Sequence, residues 1–224
     1  TCGAKIRARD LIPVFSWIAL KGKCHNCGEK ISPRYPIVET LNGLLYVLTF
    51  FALDINAKAI ITCVLMSLLV VVAFMDWDTM EIDQIILGII LLLAVPLAIF
   101  TDDVSLKSRI IGAFAISVPF FIIGEVSRPI IRKRFGEDFR AIELGDTLLM
   151  VSAGAVLGTR AVIVSALIGI ISAAIGGVII KSVTSESKFA FGPFLSIGIA
   201  VSALWGNDIA QWYLNILSHA AQTR

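Results

Sequence analysis

Between residues 57 and 75 the chain is almost unbroken aliphatic sequence, and from Ile85 to Phe100 it carries no charge at all. Runs of this kind cannot stay in water, and runs near 18 residues or longer predict helices that cross a bilayer. In such a setting the backbone must satisfy its own hydrogen bonds, which leaves a helix bundle as the natural fold. Wedged between the two runs, Asp76-Trp77-Asp78-Thr79-Met80-Glu81-Ile82-Asp83 places four acids in eight residues. Carboxylates at the edge of a span are costly to keep there and mark function by default. Glu143-Leu144-Gly145-Asp146, opening another apolar run, has the same character.

Composition agrees: 57% of residues are apolar and 16% charged, and mean hydropathy is +0.88. Soluble domains hold roughly 45–50% apolar and about 25% charged residues. The expected fold is all-α, a polytopic membrane bundle with about seven spans near 37–53, 58–75, 84–100, 108–126, 144–159, 161–180 and 189–205. A short amphipathic tail around Gln211-Trp212-Tyr213-Leu214 follows. Two units are expected, a basic cysteine-bearing loop over 1–36 and the transmembrane bundle over 37–224.

Within the loop, Cys24-His25-Asn26-Cys27-Gly28 forms a CxxC knuckle, and Cys2-Gly3 has the form of the end of another. The implied spacing approaches that of four-cysteine zinc sites, and glycine after each pair permits the tight turn that tetrahedral thiolate ligation needs. Cys2, Cys24 and Cys27 are three candidate zinc ligands; His25 reads as a bystander, and Cys63, in mid-span, as a small buried hydrophobe. The chain begins at Thr1, and an upstream segment carrying the remaining cysteine is expected.

Basic residues set the orientation. With seven spans, the loops on the cysteine side collect fourteen lysines and arginines against four in the loops of the other side, Lys58, Lys107, Arg109 and Arg160. The cysteine loop is therefore expected to face the cytoplasm. The same alternation ends the second span at Asp76 and begins the fifth at Asp146, on one face and at one depth.

Two close carboxylates cannot both ionise cheaply, so one keeps a proton while the other acts as base. Such a pair can activate water against a peptide carbonyl and protonate the leaving nitrogen, the logic of aspartic proteases. A proton-coupled transporter using Asp76 and Asp146 is the alternative, although coupling sites tend to sit at the bilayer midplane. A third reading is a membrane scaffold that binds partners through the loop. Asp78, Glu81 and Asp83 read more simply as a solvated turn, and Arg34 and Glu39 as a structural ion pair or a substrate-orienting pair.

The residues resemble the type IV prepilin peptidases, bifunctional leader peptidases and N-methyltransferases. Ile12-Pro13-Val14-Phe15-Ser16-Trp17, then Lys21-Gly22-Lys23-Cys24-His25-Asn26-Cys27 and Ile31-Ser32-Pro33-Arg34-Tyr35-Pro36-Ile37-Val38-Glu39, follow the family signature IPVxSxxxxxGKCxxCxxxISxRYPxVE. Phe191-Gly192-Pro193-Phe194-Leu195 is similar to the family's FGPFL, and Gly145-Asp146 to the end of its GxGD motif. Departures are Glu143 in place of the first GxGD glycine, Ile82-Asp83-Gln84 without the proline of the usual IPD, and Leu148 where a lysine is common.

The resemblance implies an enzyme of the bacterial cytoplasmic membrane, with eight spans in the intact protein and its active site facing the cytoplasm. It would cut the leader from prepilins or pseudopilins and then methylate the new N-terminus with S-adenosylmethionine. It implies Asp76 and Asp146 as the catalytic pair, a structural zinc on the cysteine knuckles, and a link between Gly22-Lys23 and methyl transfer. It suggests a lipid setting and no nucleic-acid partner.

Overall fold

The computed structural model describes residues 2–135, 140–183 and 189–222; Lys188, one of the basic residues used for orientation, lies outside them. Among the described residues there is no strand, and nine α-helices follow a 3-10 turn at Ala8–Leu11. They are α1 (Phe15–Ala19), α2 (Arg34–Leu53), α3 (Ala57–Thr79), α4 (Gln84–Leu92), α5 (Ala94–Phe100), α6 (Leu106–Ala115), α7 (Ser117–Phe135), α8 (Leu144–Val183) and α9 (Gly192–Gln222). Five stretches, Arg34–Leu53, Ala57–Thr79, Leu106–Lys133, Leu144–Ser182 and Gly192–Ala221, are long and apolar enough to cross a membrane, and Gln84–Phe100 adds a shorter apolar one. Many large hydrophobic side chains stay exposed, Phe51 at 85% and Ile55 at 86% among them. An outward apolar surface of that extent is suited to lipid. The molecule is a multi-pass membrane helix bundle.

Two helix interruptions follow from proline. Pro96 has no N–H to offer the Leu92 carbonyl, and α4 ends at Leu92 before α5 resumes. Pro119 likewise leaves the Ala115 carbonyl without its helical partner, and α6 ends there.

The expected spans 144–159 and 161–180 fall within one hydrogen-bonded unit, α8, broken at Gly158 with φ 78 and ψ 175. That conformation is essentially open to glycine alone. Packing shows that the chain reverses there. Residues 144–157 run from Asp146, beside Ile82 and Glu143, to Val156 and Leu157, which share a small cavity with Lys58 at the start of α3. Residues 159–183 run back, with Ala161 against Gly206 and Gly177 against Phe189. One neighbour caps both sides of the break: Arg109 Nη1 donates to the carbonyls of Ala155 (3.1 Å) and Val156 (2.6 Å), while Ser108 Oγ accepts from the Thr159 amide at 3.1 Å. Among the described residues, the apolar segments on the two sides of Gly158 thus run in opposite directions.

The core is built from α3, α4, α8 and α9, with Leu65, Met66, Val72, Ile90, Leu149, Met150, Val162, Leu195 and Ile199 all fully buried. At their closest, α6 and α8 touch backbone to backbone: a Cβ on Gly154 would stand 2.1 Å from the Gly112 carbonyl oxygen. Small residues allow such approach where lipid offers no hydrophobic drive for helices to associate. The amphipathic tail is not a separate element. It continues α9, whose 31 residues span about 46 Å at 1.5 Å per residue, well beyond a hydrocarbon core of roughly 30 Å.

Candidate active site

Asp76 lies in the last turn of α3, where the Met80 amide closes the helix onto the Asp76 carbonyl at 2.8 Å and Met80 turns left-handed. Asp146 lies in the first turn of α8. Both are buried, 6% and 5% exposed, and both line one cavity of about 220 Å³ with Met80, Glu81, Ile82, Gln84, Glu143 and Gly145. Seventy residues of sequence are closed into one site. Topology placed the two at one end of the bundle, and packing brings them to one cavity.

Each carboxylate is held by a backbone amide. Gly192, the first residue of α9, donates to Asp76 Oδ2 at 2.7 Å. Asp76 sits at the carbonyl end of its own helix, an unfavourable place for negative charge, and the amino end of α9 compensates by facing it. Asp146 Oδ2 accepts from the Glu143 amide at 3.3 Å, the back-bond that an acid at the third helical position makes to the residue before the helix.

The loop leading into α8 is fixed from the side by α7. Ser127 Oγ accepts from the Ala141 amide (2.9 Å), Arg140 pairs with Glu125 at 2.5 Å, and a Cβ on Gly124 would stand 2.7 Å from the Ile142 carbonyl oxygen. On the cavity side, Gly145 carries no side chain because Ile82 fills the space: a Cβ there would lie 3.2 Å from that of Ile82. The GD pair therefore works as a unit, the glycine admitting the loop after α3 and the aspartate facing the cavity.

The remaining acids divide. Asp83 caps α4, its Oδ1 accepting from the Ile85 amide at 2.7 Å. Asp78 pairs with Arg34 at 2.5 Å, so Arg34 joins the α3 terminus. Glu81 and Glu143 line the cavity; Glu143 stands where the family motif has glycine, so two further acids lie close to the pair. In the sequence Gly192 stands out only as part of Phe191-Gly192-Pro193-Phe194-Leu195. Its Gly-Pro at the head of an apolar run was the available signal, since proline favours a first helical turn.

At the other candidate site, the sulfurs of Cys2, Cys24 and Cys27 lie within 4.8 Å of one another. The knuckle is tied by the Cys24 amide to the Glu29 carbonyl (2.7 Å) and by the Gly28 amide to the Cys24 carbonyl (3.0 Å). Backbone N–H groups of Cys27 and Asn26 aimed at Cys24 Sγ bring that thiol down to about 7. Three converging sulfurs, one already inclined to thiolate, are a donor set that fits zinc. His25 is not in the cluster. Gly22 and Lys23 sit in the chain entering the knuckle, bonded through their backbone: Gly22 N–H to the Trp17 carbonyl (2.8 Å), Lys23 N–H to that of Leu20 (3.1 Å). Cys63 is buried in α3.

Comparison with known sequences adds two matches in order along the chain. Residues 1–53 match the bacterial peptidase A24 N-terminal domain, and residues 63–178 match the type IV leader peptidase family. The chain belongs to the type IV leader peptidase family. It is similar to the prepilin leader peptidase/N-methyltransferase of Aeromonas salmonicida (strain A449), 31% identical over 221 residues, covering 96% of this chain and 73% of that protein. The corresponding Aeromonas hydrophila protein is 32% identical, over 95% of this chain and 72% of its own length. That of Neisseria gonorrhoeae is 30% identical, over 88% and 66%. No solved structure matches. Both aspartates and all three clustered cysteines fall inside the matched segments. The transport alternative finds no support, since the relatives are peptidases and both carboxylates lie at helix ends.

Proposed function

We propose that this protein is a membrane-embedded aspartic endopeptidase that removes the leader of type IV prepilins or pseudopilins and then N-methylates the new terminus. The observation that carries the peptidase reading is the shared cavity: two buried aspartates from separate helices, each fixed by one backbone amide, with about 220 Å³ of space between the elements that bear them.

In this reading Asp76 and Asp146 share one proton. The ionised member takes a proton from water as the water oxygen bonds to the scissile carbonyl carbon. The protonated member gives its proton to the amide nitrogen as the C–N bond breaks. Gly192 and Glu143 amides hold the carboxylates in their rotamers throughout, so little reorganisation is needed when charge moves. The positive-inside distribution supports a cytoplasmic opening for the cavity and an inner-membrane location. A scissile bond between a basic leader and an apolar helix suits a site at that boundary.

Zinc on Cys2, Cys24, Cys27 and a further ligand would staple the loop, a structural role. S-adenosylmethionine supplies an electrophilic methyl group when bound. The leaving nitrogen departs the peptidase site as a neutral amine, the form that can accept a methyl group.

The test is intact-mass analysis of a prepilin incubated with S-adenosylmethionine and the full-length protein, as wild type, Asp76→Asn and Asp146→Asn. Folded variants that leave the leader on, beside a wild type that removes it, support the pair. Normal cleavage by either variant refutes it. A leader-free product without the added methyl mass restricts the function to the peptidase.

A further inference from the structure

At the end of the bundle away from the aspartates, Lys58, Asp103, Arg109, Val156 and Ser202 line a cavity of about 40 Å³, shared by α3, α6, α8 and α9. That exceeds the roughly 10–15 Å³ that one water requires. Lys58 precedes Asp76 by eighteen residues of α3, about 27 Å of helix at 1.5 Å per residue, so this cavity is distinct from the one between the carboxylates.

Its charges do not cancel. Lys58 and Arg109 are the cations of the lining, and Asp103 is its one carboxylate. Lys58 Nζ donates to Asp103 Oδ2, where both side chains are part-exposed. Arg109 is 4% exposed, and the groups it holds on α8, the carbonyls of Ala155 and Val156, are neutral. Its Nε–H finds no hydrogen-bond acceptor among the described residues. A guanidinium does not shed its proton in a protein, and a buried charge short of a counter-charge is costly to keep.

Ser202, on α9, brings a second donor. It is 3% exposed, and its hydroxyl also lacks a partner among the described residues. A helical hydroxyl can satisfy itself on the carbonyl one turn back, as Thr101 Oγ1 in the same lining does on Leu97 at 2.5 Å. Ser202 does not. One small space is therefore lined by a buried N–H and a buried O–H, both unpaired, with two cations facing one carboxylate. Leu65, Leu97 and Leu157 close the remainder.

We propose that this cavity binds one small monovalent anion of the chloride class, held by the Nε–H of Arg109 and the hydroxyl of Ser202. A single negative charge cancels the excess left by Lys58, Arg109 and Asp103, whereas a divalent oxyanion would overshoot it. Water can accept both hydrogen bonds but leaves the charge uncancelled. The ion braces the reversal at Gly158, because Arg109 also caps the last carbonyls before the break and Ser202 belongs to the helix that packs beside it.

The test follows the unfolding midpoint of the full-length protein in detergent while sodium chloride replaces sodium gluconate at constant ionic strength, with sodium sulfate as a second replacement. An ion bound by the folded state alone raises stability along a saturating curve. A saturating rise with chloride, half-complete at millimolar concentration, is expected, and none with sulfate. Ser202→Ala should raise the half-saturating concentration about tenfold, the low end for a hydrogen bond to a charged group. In gluconate its stability should equal or exceed that of wild type, since an unpaired buried hydroxyl has been removed. Ser165→Ala, which removes an unpaired buried hydroxyl outside the cavity, should respond to chloride as wild type does. Arg109→Met should lose the response; if it fails to fold, the two serine variants decide. A midpoint indifferent to chloride, an equal rise in sulfate, or an equal loss of response in Ser165→Ala overturns the proposal. So does a Ser202→Ala protein destabilised equally in chloride and gluconate, because the cavity would then hold water alone.

Discussion

Replacing Gly192 by alanine tests the active-site geometry more sharply than deleting a carboxylate. A Cβ at this position would lie 2.8 Å from Asp76 Oδ2, 3.0 Å from its Cγ and 3.1 Å from its Cβ. The carboxylate must turn away, and the 2.7 Å bond from the Gly192 amide is lost with it. Gly192 does not have left-handed backbone geometry, so alanine brings no conformational strain of its own. The effect then isolates the position of Asp76. A hydrogen bond to a charged group contributes about 1.5–3 kcal/mol. If that bond orders the carboxylate in the transition state, kcat falls by roughly 10–150-fold, at about 1.4 kcal/mol per factor of ten. The assay is leader removal by intact mass under single-turnover conditions, with substrate affinity measured separately on the Asp76→Asn background. The fall should appear in kcat with substrate binding little changed. A Gly192→Ala enzyme within twofold of wild type would show that the amide does not position the catalytic group, and the role given to α9 would be wrong.

Other perturbations read other parts of the molecule. Gly158→Ala forces a side chain into φ 78, ψ 175 and to within 2.5 Å of Val104 Cγ1. A loss of about 2–4 kcal/mol is expected from strain and overpacking together, seen as a lower unfolding midpoint in detergent; an unchanged midpoint would refute the reversal. Arg109→Met strips the cap from the carbonyls of Ala155 and Val156 and should destabilise by about 1–3 kcal/mol, with wild-type stability as the refuting result. Zinc retention should depend on pH. In the metal-free loop the Cys24 thiol is brought down to about 7 by the amides of Cys27 and Asn26, so below that value protons compete increasingly with the metal for it. Release to a chromophoric chelator is therefore expected to accelerate as pH falls from 7.5 to about 5.5, and a flat profile would count against thiolate ligation. Arg34→Ala removes an exposed pair worth at most about 1 kcal/mol. Stability should barely move, and a large loss would mean that Arg34 carries more than the α2–α3 tie.

The sequence by itself determined the class of fold and singled out both acids of the candidate site. Apolar runs near bilayer length admit only helices, and the basic-residue bias set Asp76 and Asp146 on one face, because each of these depends on local composition and on counting crossings. It also set out the cysteine spacing, since a knuckle is a local turn. The tertiary structure alone decided what holds the carboxylates. Gly192 is 116 residues from Asp76, and nothing in its own neighbourhood says which acid its amide will face; only the packing of α9 against α3 brings them together. Likewise Arg34 finds Asp78 instead of Glu39, because the α3 terminus docks against the first turn of α2. The break at Gly158 is intermediate. The glycine is visible in sequence, but the reversal depends on Ser108 and Arg109 of α6 satisfying the backbone groups that the turn exposes. Hydrophobic patterning is read along the chain, whereas hydrogen bonds between distant helices exist only once the bundle has packed.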